Sequence, residues 1–116
     1  MVLVDGKPVT ELGTVMGTPS YMSPEQVKEQ PLTHQTDIFS LGVVLYQMLT
    51  GKLPFMANNN YTMIYQIINA QAPRPSDARP EIPPQLDAIV ARALQKNTAD
   101  RYQSWEELSR DNPGLV

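Results

Sequence analysis

Few side chains in this sequence have the types and spacings that do covalent chemistry. There is no cysteine, so there is no thiolate nucleophile, thiolate metal site or disulfide framework. The single histidine, His34, cannot alone complete a Ser/His/Asp triad or a multi-histidine metal site, and no metal site is expected. No G-x-S-x-G string occurs, and neither G-x-G-x-x-G nor G-x-x-x-x-G-K is present to cradle phosphates. Glu106 and Glu107 are adjacent acids on a helical stretch, a solvated surface pair. What remains is Gly17-Thr18-Pro19-Ser20-Tyr21-Met22-Ser23-Pro24-Glu25, a run of small, hydroxyl and proline residues with the composition of a shaped turn.

That turn must be held by the elements that follow it. Ser23 to Glu29 opens as a short helix, with Ser23 as cap and Pro24 at the first helical position. Residues 36 to 50 form the strongest helix. Ile38, Leu41, Leu45 and Met48 lie on one face beside Leu49, while Phe39, Val43, Val44 and Tyr46 fill the others. A helix apolar nearly all round is buried on all sides. Thr36 or Asp37 caps its start, and Gly51 suits the position past its end. Gly42 in mid-helix costs about 1 kcal/mol against Ala, which points to a close approach there. A third helix covers 60–70, with Ile64, Ile67 and Ile68 on one side. Ala72 to Pro84 is a proline-rich loop. A fourth helix covers 84–95, with Leu86, Ile89, Val90, Ala93 and Leu94 at helical spacing. A last helix, 104–110, starts with a Ser104/Glu107 capping box. Tyr61, Tyr65 and Trp105 are expected to pack in the core or between helices. Val2 to Val4 suits a short strand before the Asp5-Gly6 turn signal. The fold class is mainly α, with one buried central helix.

Composition excludes other classes. Hydrophobic residues make up 41% of the 116, too many for a disordered tail and enough for one modest core. The net charge of -3, without a basic run, argues against nucleic acid or an anionic membrane as partner. The longest apolar stretch, near 41–49, is too short to span a bilayer, and no basic-then-apolar leader pattern opens the chain. A soluble, cytoplasmic protein is expected.

Four strings in order give the sequence a family likeness. Gly17 to Glu25 resembles the G-T-x-x-Y-x-[AS]-P-E that ends the activation segment of protein kinases. Asp37-Ile38-Phe39-Ser40-Leu41-Gly42 resembles the D-x-W-x-x-G that opens the central helix of the kinase C-lobe, with Phe39 in place of the usual Trp. Gly51-Lys52-Leu53-Pro54-Phe55 resembles G-x-x-P-F, and Lys96 to Arg101 resembles K-x-P-x-x-R. The Met22-Ser-Pro-Glu-Gln26 wording is most similar to bacterial serine/threonine kinases. The resemblance implies a truncated kinase C-lobe: residues 1–16 a remnant of the activation loop, 17–110 a partial kinase domain, and 111–116 a tail or linker.

It also implies roles. Thr18 corresponds to the threonine that bonds the catalytic aspartate and lysine. Gly17, Pro19, Ser20 and Tyr21 belong to the activation segment and substrate pocket. Glu25 and Arg101 form a buried structural ion pair. Asp37 anchors the central helix and accepts bonds from the catalytic loop. Thr14 and Thr10 occupy the loop where activating phosphorylation adds about -1.5 to -2 charge.

Kinase chemistry needs a Gly-rich loop, a strand lysine, the H-R-D aspartate with its asparagine, and the D-F-G aspartate. None is in this sequence, and Asp5-Gly6 does not substitute for D-F-G. No catalytic residue is therefore assigned, and no cofactor is expected on this chain alone; ATP and Mg belong to the intact family. The expected partner is a protein substrate or the missing kinase N-lobe. Two readings stay open: a piece of a serine/threonine kinase, inactive alone, or a non-catalytic helical interaction module derived from a kinase C-lobe.

Overall fold

Local capping sets where the helices of the computed structural model begin. It describes residues 20–111 and two short strand segments, β1 (Leu3–Val4) and β2 (Lys7–Pro8), which pair antiparallel with Leu3 opposite Pro8. Helix α1 (Pro24–Val27) carries a reciprocal box: Ser23 Oγ accepts from the Gln26 amide at 3.2 Å and Gln26 Oε1 accepts from the Ser23 amide at 2.8 Å. Helix α2 (His34–Thr50) starts earlier than the sequence suggests. Its cap is Thr33, whose Oγ1 accepts from the Gln35 amide, while Thr36 Oγ1 accepts from the Thr33 amide. Neither Thr36 nor Asp37 caps it. The His34-Gln35 turn extends the helix because Thr33 satisfies its orphan donors first. At the other end Gly51 takes a left-handed conformation, φ 75°, and its amide donates to Gln47 O.

Helix α3 (Asn60–Asn69) is capped by Asn59. The proline-rich stretch is not all loop. It contains α4 (Pro75–Ala78), with Pro75 at the first helical position, and gives way to α5 (Pro84–Ala93). Asp87 of α5 ties the short helix down by accepting from the backbone amide and hydroxyl of Ser76. Helix α6 (Trp105–Asp111) follows Ser104, whose Oγ accepts from the Glu107 amide at 3.1 Å. Glu107 reaches past Ser104 to the Gln103 amide, so the expected box is made one residue off on its second arm. Asp111 is the last residue of α6 rather than tail, and it accepts from the Tyr102 hydroxyl at 2.7 Å.

The core gathers on α2. Ile38, Phe39, Val43, Leu45 and Tyr46 are buried with Phe55, Met63 and Ile67, and with Ile89, Val90, Ala93 and Leu94 from α5 and its end. Each fully buried large apolar side chain contributes about 1.5–3 kcal/mol. Gly42 lets the end of α5 pack tightly on α2: a Cβ there would lie 2.9 Å from Ala93 Cβ and 3.0 Å from Leu94 Cδ2. The α2 helix is not buried on all sides. Val44 is 40% and Met48 75% exposed, along a flank shared with Asp37 and the partly buried Leu41. Tyr61, Tyr65 and Trp105 also differ from expectation. Tyr61 is 91% exposed, Tyr65 lies beside it on the solvent side of α3, and Trp105 sits at the surface, because Met63 and Ile67 form the inward face of α3.

Candidate functional site

The family-like strings meet at one cluster around the first half of α2. Arg101 is wholly buried, and every N–H of its guanidinium is used. Nη1 donates to Glu25 Oε2 at 2.7 Å and to Gln35 O at 2.8 Å; Nη2 donates to Glu25 Oε1 at 3.1 Å and to Lys96 O at 3.3 Å; Nε donates to Gln95 O at 3.0 Å. Glu25 Oε2 also accepts from Thr36 Oγ1 at 2.9 Å. Burial pushes the Glu25 carboxyl upward, but hydrogen bonds from Arg101, its own backbone amide and Thr36, with the charge of Arg101, hold it below the usual carboxylate range. The carboxylate–guanidinium fork places α1 against the start of α2 and the loop before α6.

Aromatic rings extend the cluster. Phe39 and Phe55 stack with centroids 6.4 Å apart and planes 9° from parallel. The Arg101 Cζ lies 5.0 Å from the Phe39 centroid and the Lys96 Nζ 3.9 Å from the Phe55 centroid. Lys96 Nζ also donates to Gln66 O at 3.1 Å, which ties the end of α3 to the same centre. Sequence reasoning paired Glu25 with Arg101 but missed these ring–cation contacts. Phe39 and Phe55 each stood inside a recognised string, and nothing in their spacing indicated that they face each other.

His34, which the sequence excludes from a triad or metal site, and Gln35 have structural roles that their residue types did not reveal. His34 Nε2 bonds Gln103 O at 2.6 Å, and Gln35 Nε2 donates to Thr98 O and Tyr102 O, both at 2.9 Å. These residues fasten the first turn of α2 to the 98–103 loop. Asp37 is exposed in that turn. Farther along, Arg92 pairs with Glu107 and lies over the Tyr102 ring, 4.4 Å from its centroid. This brings α5 and α6 together behind the cluster.

Of the expected activation-segment residues, Ser20 is buried and Tyr21 is partly exposed. Tyr21 is pinned to α2: its hydroxyl donates to Gln47 Oε1 at 2.6 Å, and Ser40 Oγ donates to Tyr21 O at 2.9 Å. Gly17, Thr18, Pro19, Thr14 and Thr10 lie outside the described residues. Among the described residues no group of three His, Asp or Glu is placed to hold a metal ion, and no helix is long and apolar enough to cross a membrane. The cluster is built to hold elements together, since its polar groups are consumed by one another.

The protein kinase domain family matches residues 4–112. The chain belongs to the protein kinase family. This kinase chain is 39% identical over 106 residues to the serine/threonine-protein kinase PknB of Mycolicibacterium smegmatis, covering 91% of the chain and 17% of that relative. It is 41% identical over 104 residues to pkn3 of Myxococcus xanthus, covering 88% of the chain and 19% of that kinase. It is 40% identical over 94 residues to PknL of Mycobacterium tuberculosis, covering 81% of the chain and 24% of that kinase. The chain therefore spans less than a quarter of the length of these relatives. The bacterial serine/threonine type and the helical C-lobe character expected from the motifs agree with these matches.

Proposed function

We propose that this chain is the scaffold and substrate-side portion of a serine/threonine kinase. Joined to an ATP-binding portion, it supports phosphate transfer to protein serine or threonine; alone, it does not. The observation that carries the reading is the cluster itself. Glu25, Phe39, Phe55, Lys96 and Arg101 come from the four family strings and meet in one packed unit. Tyr21, in the middle of the activation-segment string, is bonded directly to the central helix. Such a unit is what a substrate-positioning loop needs beneath it, because catalysis of phosphoryl transfer is mostly positioning and charge stabilisation.

The uncovered flank of α2 fits the same reading. Val44 and Met48 are exposed on an otherwise packed helix, and the missing catalytic portion of the kinase would cover them. Asp37, exposed on that flank, is placed to meet it. ATP and Mg would be held by that portion, since the sequence here contains none of the motifs that bind them.

The test is an assay with ATP, Mg and a generic basic protein substrate. The chain alone gives no turnover above background. The chain fused behind the ATP-binding portion of a related bacterial kinase gives turnover. Phosphotransfer by the isolated chain would overturn the first half of the reading, and a folded but inactive fusion would overturn the second.

A specific observation favours one alternative. Helix α3 turns Tyr61 and Tyr65 outward, and Met56 in the preceding loop is exposed too, as in a non-catalytic interaction module. A Tyr61→Ser/Tyr65→Ser double variant that abolished partner capture, in a fusion that stayed inactive, would support that alternative.

A further inference from the structure

We propose that the cleft between the end of α1 and the loop after α5 is a binding site for a phosphate monoester. The cleft has a volume of about 330 Å³, and its wall includes Lys28, Gln30, Lys96, Asn97 and Thr98 together with Glu25. This space holds a phosphate group with room for the carbon it esterifies. Its charge is lopsided. Among the described residues the one carboxylate in the wall is Glu25, whose two oxygens are bound by Arg101 and Thr36, and the Arg101 charge balances it. Lys28 and Lys96 are then left as net positive charge, and among the described residues neither makes an ion pair.

Lys96 is the more telling of the two. Among the described residues its ammonium has only a carbonyl oxygen and an aromatic face as partners. Burial, and then the neighbouring Arg101 charge, pull it down to about 8. A half-buried cation beside a second cation lacks a counter-charge. A dianion in the adjacent cleft supplies one and raises the proton affinity of Lys96, so binding carries proton uptake with it. The groups that set this balance are Lys28 and Glu25 on the α1 side and Arg101 on the loop side. Gln30, Asn97 and Thr98 add neutral polar groups around the rim, suited to phosphate oxygens.

The ester's source is either a phosphorylated serine or threonine on a polypeptide or a free small phosphate. The test is an NMR titration of the full chain, at matched ionic strength, with inorganic phosphate, a short phosphothreonine peptide, its unphosphorylated twin and sodium chloride. Saturable amide shifts at Lys28, Gln30, Asn97 and Thr98 are expected with the phosphate probes and not with chloride. Tighter binding of the phosphopeptide than of free phosphate identifies a polypeptide source; equal binding identifies a small molecule. Lys28→Ala, at an exposed position, weakens binding about tenfold, the scale of one charge-assisted contact, and Lys96→Met removes the second cation. Shifts that follow ionic strength alike for phosphate and chloride, or no saturable shift with either phosphate probe, would overturn the site. Neither result depends on whether the chain supports phosphate transfer.

Discussion

Glu25 and Arg101 lie 76 residues apart in sequence and touch through both carboxylate oxygens. The pair is buried, which ordinarily makes ion pairs poor stabilisers because two ions lose their water. Here the loss is offset by completeness. All five guanidinium hydrogens find oxygens, and among the described residues no buried side-chain nitrogen or oxygen lacks a partner. The contact is thus a three-way joint between α1, the first turn of α2 and the loop before α6.

Acid should loosen this joint. The Glu25 carboxyl is held below its ordinary value of 4.5, so its contribution is fully present above that value. The contribution disappears as pH falls through the lowered one. Urea midpoints measured from about pH 7 down to about pH 3, a span that brackets the ordinary glutamate value, should fall at the acid end. A Glu25→Gln variant should lack that acid-dependent part.

Lys96 predicts a slope of the same sign on the alkaline side. Its folded-state value of about 8 lies below the ordinary 10.5. Between those values the unfolded chain binds more protons than the folded one, so stability rises with pH. Wild type should gain stability relative to Lys96→Met as pH rises from about 8 toward 10. Above 10 the buried Tyr46 and Tyr102, both raised from that value, act the other way. Thermal denaturation across this range checks the sign.

Gly42→Ala sets two effects against each other. Alanine gains about 1 kcal/mol of helix propensity, but its methyl would sit 2.9 Å from Ala93 Cβ, an atom with no rotamer to retreat into. Overpacking of this kind costs about 1–3 kcal/mol, so a net loss is expected. It would be read as a lower urea midpoint at unchanged slope.

The exposed flank of α2 should make the isolated chain sticky. Val44→Lys/Met48→Lys places charges where the helix faces water and should reduce self-association in sedimentation experiments with little change in helical content. In the fused kinase the same pair should impair activity, because the flank is then covered.

Much of this was legible from residue types. The α5 periodicity put Ile89, Val90, Ala93 and Leu94 in the core, where they are found. The Pro-Glu of one string and the Arg of another implied the ion pair. Other features depended on three-dimensional competition. Thr33 outcompeted Thr36 and Asp37 as cap because it lies one turn earlier and can bond the Gln35 amide. The short helix at Pro75 was hidden among prolines because its anchor, Asp87, lies 11 residues away. Tyr61 and Tyr65 share helical spacing with buried residues, but α3 has only one inward face, which Met63 and Ile67 occupy.

The most direct test of the central joint is a double-mutant cycle on Glu25→Gln and Arg101→Met, read by urea unfolding. Each single substitution should cost about 3–5 kcal/mol or abolish the cooperative transition, because either leaves a buried partner uncompensated. The double variant should recover part of that loss. Single losses below about 1 kcal/mol, adding without coupling as for exposed ion pairs, would contradict the account.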